Sequence, residues 1–180
     1  VGARHILVAS GPATRGEVVD RLGELAVTAA SAAPGVVLVL EFLPIFTVGT
    51  LDAAVGVVTE IGAPNLGVLV DMLHLVRSGG SPADLTEVDP ALLPYLQLAD
   101  APAERPADAA ALRDEALHGR LLPGDGALPL REVLAAVPAV PVSVELRSRA
   151  LNDRHPDPVE RARAVLAACA RLVQRSRTHS

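Results

Sequence analysis

Glu41, Asp71, Gln97 and Glu145 each close a short apolar run: 36–41 (VVLVLE), 66–71 (LGVLVD), 95–97 (YLQ) and 142–145 (VSVE). Each of these side chains can bind a cation, and the three carboxylates can also move a proton. A carboxylate among apolar neighbours is costly unless it is paired or held by a metal. Four such endings in series describe a site. Each residue alone has a plainer reading as well. Glu41 also fits a solvated strand end, and Asp71 an Asx-turn or helix cap. Glu145 also fits an ion pair with Arg147 or Arg149, and Gln97 a buried hydrogen-bonding amide.

The elements that would position these groups alternate between strand and helix. Strands are expected at 5–10, 36–41, 66–71, 95–99 and 142–146. Helices are expected at 15–33, from Leu51 to Ile61, from the Ser81-Pro82 start, at 130–137 and from Asp157-Pro158 onward. Thr50 reads as an N-cap, and Gly62 and Pro34-Gly35 as stops. The last helix is expected to bury Val159, Ala162, Leu166, Cys169 and Val173. Five repeats of strand then helix imply an α/β fold with a parallel sheet. The strands are nearly all apolar, as when both faces are covered.

In a (β/α)8 barrel, functional residues sit where strands end and βα loops begin. The polar endings fall there. Strand phase agrees: Val37, Val39 and Glu41 share one face, as do Gly67, Leu69 and Asp71. Spacing from Glu41 to Asp71 and from Asp71 to Gln97 is about one βα unit each. The longer gap before Glu145 holds an excess between Ala101 and Leu128, where a substrate-covering loop is expected. Five strands do not close an eight-stranded barrel, which takes about 250 residues. The expectation is that residues 1–180 form the C-terminal part of one barrel domain, about strands four to eight, without its N-terminal βα units. The first and last strands would then leave open apolar edges.

Half of the 180 residues are apolar and 2% are aromatic, so the core must be aliphatic. All 16 basic side chains are arginine. A net charge of −5 argues against a broad nucleic-acid surface. Cys169 is the single cysteine, which allows no internal disulfide and fits a reducing, cytoplasmic compartment. No run of about 18 apolar residues suggests a membrane span, and no leader suggests export.

The segments LEFLP (40–44), NLGVLVDMLHLVRSGG (65–80), YLQLADAP (95–102), HGRLLPGDG (118–126) and VSVEL (142–146) together resemble the sugar phosphate isomerase/epimerase family. These are xylose isomerase-like TIM barrels. The resemblance implies a divalent metal held by Glu41, Asp71, Gln97 and Glu145. It implies His74 and Arg120 as substrate-binding groups, and Glu41 and Glu145 as the catalytic pair. The family often has His at the position of Gln97. An amide oxygen there shifts the set towards Mn²⁺ or Mg²⁺, with Co²⁺ or Zn²⁺ as further options.

The implied activity is a metal-dependent isomerase or epimerase of carbohydrate metabolism. It would act on a small sugar or polyol by abstracting a proton next to a carbonyl, through a metal-stabilised enediolate. Alternatives are an inosose-type dehydratase on the same barrel and a non-catalytic degenerate barrel. Phosphodiester cleavage, as in endonuclease IV, would need more histidines than this acidic chain offers. The resemblance allows a homo-oligomer and implies neither nucleic acid nor membrane as partner.

Overall fold

The computed structural model describes residues 2–137 and 140–177, the side chains of 173–177 excepted. Five parallel strands form one sheet in sequence order: β1 (His5–Ala9), β2 (Val37–Glu41), β3 (Leu66–Asp71), β4 (Leu96–Leu98) and β5 (Val142–Val144). Helices connect them, giving a partial (β/α) barrel.

Local chemistry explains the main helices. Before α1 (Arg15–Ala32), Thr14 and Glu17 form a reciprocal capping box. Val18, Leu22 and Ala26 then recur at four-residue spacing and are buried. Before α2 (Leu51–Ile61), the Thr50 hydroxyl accepts from the Ala53 N–H. Gly62 ends that helix at φ 64°, where a Cβ would be strained.

Alternation sorts each strand into two faces. Leu38, Leu40, Val68, Val70, Leu96 and Leu98 join the large apolar cluster beneath the helices. Val39 and Leu69 are equally buried but lie outside that cluster. They face the barrel interior, in phase with Glu41 and Asp71. Pro94 and the Leu92 carbonyl, which follow and end the turn Pro90–Leu92, approach Gly67 near the start of β3. A Cβ on Gly67 would lie 3.0 Å from Pro94 Cδ and 3.1 Å from the Leu92 carbonyl oxygen. Replacing Gly67 with Ala is therefore expected to cost about 1–3 kcal/mol through overpacking. A lower urea midpoint at unchanged slope is the measurement that checks it.

Three short helices were not anticipated from the sequence: α3 (Met72–Arg77), α5 (Ala109–His118) and α7 (Arg149–Arg154). The first begins directly after β3. The second occupies the segment expected to be a substrate-covering loop. The remaining helices are α4 (Pro82–Thr86), α6 (Leu130–Ala136) and α8 (Pro158–Arg177).

The buried stripe of α8 also differs from expectation. Ala168 and Leu172 are buried and Cys169 packs partly against the core, but Val159 and Leu166 are exposed. With Ala162, Leu166 lines an open groove beside Val142 and Val144 of β5. No further strand borders β5 among the described residues, so the larger aliphatic side chains face an uncovered edge. Val173 lies outside the residues whose side chains are described. At the other edge, Ile6 and Leu7 of β1 are exposed too. Among the described residues no helix is long and apolar enough to cross a membrane.

Candidate active site

Parallel strands deliver their polar endings to one rim. Glu41 and Asp71 are the last residues of β2 and β3. Gln97 stands in register with Asp71 on one side and with Ser143 on the other. Glu145 follows β5 directly, its N–H donating to the Leu98 carbonyl at 3.3 Å.

Asp71 is fully buried and serves two neighbours. Its Oδ1 accepts from the N–H of Leu73 (2.8 Å) and of His74 (3.4 Å), which caps α3. Its Oδ2 accepts from Arg120 Nη1. The capping role that an Asp here also fits is thus realised, with the second oxygen left for the rim.

Arg120 is buried and spans the rim. Nε donates to the Ala116 carbonyl at 3.0 Å, and Nη1 to the Glu145 carbonyl at 3.3 Å. Nη2 lies 3.4 Å from Glu145 Oε2. The other Glu145 carboxylate oxygen lies 3.3 Å from Arg147 Nε, so the simple ion-pair reading holds for Glu145 as well. The Asp71 carboxylate raises the Arg120 pKa, against the effect of burial.

Two buried side-chain oxygens have no hydrogen-bond partner among the described residues, Glu41 Oε1 and Gln97 Oε1. His74 Nε2 stands 3.9 Å from Glu41 Oε1. Glu41, Asp71 and His74 offer ligand atoms within 4.8 Å of one another. Glu145 is outside that trio and joins the rim through Arg120. Burial first, and then the charges of Asp71 and Glu145, push the Glu41 carboxyl up to about 8. Burial holds the His74 imidazole below its usual range. Two donorless oxygens beside a buried carboxylate are what a hard divalent cation satisfies. The residues present therefore fit such an ion.

Some neighbours escaped the sequence reading. Tyr95 shares the inward face with Gln97, and its ring lies 4.9 Å from that of His5. Burial, with the charges of Glu41 and Glu145, raises the Tyr95 pKa. The period-two offset from Gln97 is the signal that could have placed it. Arg77 is a buried helical residue bound by both Nε and Nη2 to Glu115 at 2.8 Å each. The Asp100 carboxylate grips the segment after Arg120.

The model of the xylose isomerase-like TIM barrel family matches residues 1–172. No curated protein matches significantly. Several solved structures share the fold. A zinc-bound IolI protein superposes with a TM-score of 0.76 at 21% identity, over 97% of this chain and 64% of its own. A xylose isomerase domain protein from Alicyclobacillus acidocaldarius gives 0.70 at 24% identity, over 98% and 66%. The 3-keto-D-glucoside 4-epimerase YcjR from E. coli gives 0.62 at 22%, over 97% and 65%. The present chain thus spans about two thirds of the length of each. With its parallel strand order and its polar rim, the chain belongs to the xylose isomerase-like TIM barrel family.

Proposed function

We propose that this protein is a divalent-metal-dependent isomerase or epimerase of a sugar or polyol. The observation that carries the reading is the pair of donorless buried oxygens on Glu41 and Gln97, next to Asp71. Glu41, Asp71, Gln97 and Glu145 would hold the ion, with His74 near enough to Glu41 to share in it. An oxygen-dominated set favours Mn²⁺ or Mg²⁺. When bound, the metal supplies positive charge that acidifies the C–H beside a carbonyl.

The chain's own residues supply the rest. Glu145 at the β5 exit and Glu41 at the β2 end serve as the proton-transferring pair. Glu145 is the more accessible of the two and is steered by Arg120 and Arg147. His74 and Arg120 orient substrate oxygens. Proton return to the opposite face of the same carbon gives an epimer, and return to the neighbouring carbon an isomer. A dehydratase would share the first abstraction but release water.

Metal titration tests this reading. A protonated Glu41 cannot ligate, so binding must expel its proton below about pH 8. His74, held neutral, adds no proton of its own at neutral pH. Mn²⁺ affinity is expected to rise about tenfold per pH unit from 6 towards 8 and then to level off. Calorimetry in two buffers of different protonation enthalpy should show about one proton released per ion at the lower pH. An intact protein that binds no Mn²⁺ would favour the non-catalytic alternative.

A further inference from the structure

We propose that Asp100 is a positioning residue whose task is to fix Arg120, an inference that rests on Arg120 belonging to the active site. The backbone of Arg120 is strung between two short antiparallel bridges, Gly119 with Ser148 and Asp100 with Leu121. Leu121 N–H donates to the Asp100 carbonyl at 2.8 Å, and Asp100 N–H returns the bond at 3.1 Å. Arg120 N–H donates to the Arg147 carbonyl at 3.3 Å. The residue is thereby slung between the exits of β4 and β5.

The Asp100 side chain holds the far end of this sling. Its Oδ1 accepts from the N–H of Ala101 at 2.9 Å and of Leu128 at 3.0 Å. Its Oδ2 accepts from Gly124 at 2.9 Å and Gly126 at 3.0 Å. Asp100 is 1% exposed, and four N–H groups take the place of a counter-ion. The two glycines exist for this grip. Gly124 has φ +92°, and a Cβ on Gly126 would collide with the Ala101 carbonyl and the Asp100 carboxylate. The Gly124 and Gly126 N–H groups are taken by Asp100 and that of Asp125 by the Leu122 carbonyl, so the P-G-D-G turn cradles no external anion.

Four donors on two oxygens require an acceptor-only side chain. Asn replaces one oxygen with an NH₂ that faces two N–H groups, and the turn must let go. Leu121 then shifts, and Arg120 loses its line to Asp71 and Glu145. The effect on the site passes through Arg120 alone.

The ¹⁵N Nε–H resonances of arginine in the full-length protein test this directly. Arg120 Nε donates to Ala116, and Arg77 Nε to Glu115, so the buried Arg77 is an internal control. Asp100→Asn and Gly126→Ala are each expected to move the Arg120 signal into the averaged arginine envelope and leave Arg77 in place. Asp125→Asn, at the exposed tip, should move neither. Gly124→Ala, which loosens the grip through backbone strain, serves if Asp100→Asn does not fold. In a folded variant, an unmoved Arg120 signal, or joint loss of both signals, overturns the proposal.

In kinetics, adding Asp100→Asn to Arg120→Gln should lower kcat/KM by no more than about twofold beyond Arg120→Gln alone. Multiplicative losses would contradict it. The spectral comparison needs neither metal nor substrate, so it decides the role of Asp100 even if the proposed chemistry fails.

Discussion

Glu145→Gln is expected to lower kcat by about 10²–10⁴-fold, the usual loss when a general acid–base group is removed. Gln has nearly the same shape and keeps one oxygen towards Arg120 Nη2, which now lies 3.4 Å from the carboxylate. What it loses is the capacity to carry a proton and one unit of negative charge at the proposed ion site. The two losses separate by experiment. A proton carrier leaves kcat low even at saturating Mn²⁺, and exchange of the substrate's C–H with solvent deuterium stops. A ligand alone raises the metal requirement, and excess Mn²⁺ restores the rate. Full restoration would falsify the assignment of Glu145 to proton transfer. Arg147→Ala is the companion variant. Arg147 is more than half exposed, so losing its contact with Glu145 should change the rate far less.

Glu115→Ala is expected to destabilise the fold by about 3–5 kcal/mol, because it strands a buried guanidinium. Arg77 is 2% exposed, with Glu115 and the Pro102 carbonyl as its acceptors. Removing the carboxylate leaves one acceptor for a desolvated charge. The paired change Arg77→Met with Glu115→Leu removes both charges and fills similar volume, so most of that loss should return. Urea unfolding of the single and double variants measures both numbers. A loss below about 1 kcal/mol for Glu115→Ala would mean that water reaches Arg77. The pair ties α3, which carries His74, to α5, which leads into Arg120. The single variant should therefore weaken substrate binding at temperatures where the fold persists.

The strand ends were legible because a period of two is a short-range signal. Val37, Val39 and Glu41 declare their common face within five residues, and Gly67, Leu69 and Asp71 do the same. The structure sets Asp71 opposite Gln97 as that phase requires. α5 was hidden because its helical stripe is nearly blank: of its ten residues only Leu112 is buried. Alanine propensity and the Asp108 cap hold it, and neither leaves an apolar period to read. α3 was hidden because Asp71 ends the strand and caps the helix at once, so no turn residues announce the change. Arg77 and Glu115 stand 38 positions apart, and no local pattern pairs them. The sequence shows the P-G-D-G turn but not that Asp100 holds its amides. That grip arises only when β4 and the turn meet in space.

A strand that becomes a helix at one residue has a cost in adaptability. His74 rides on a rigid arm whose direction is set by Asp71, and any adjustment of that arm disturbs the rim carboxylate as well. New substrate shapes are more easily accommodated by residues 42–50 and 103–107, which lie between strand and helix without regular helix or strand of their own. Divergence among descendants of this protein should accordingly gather in those two connections, with the junction at Asp71 held still.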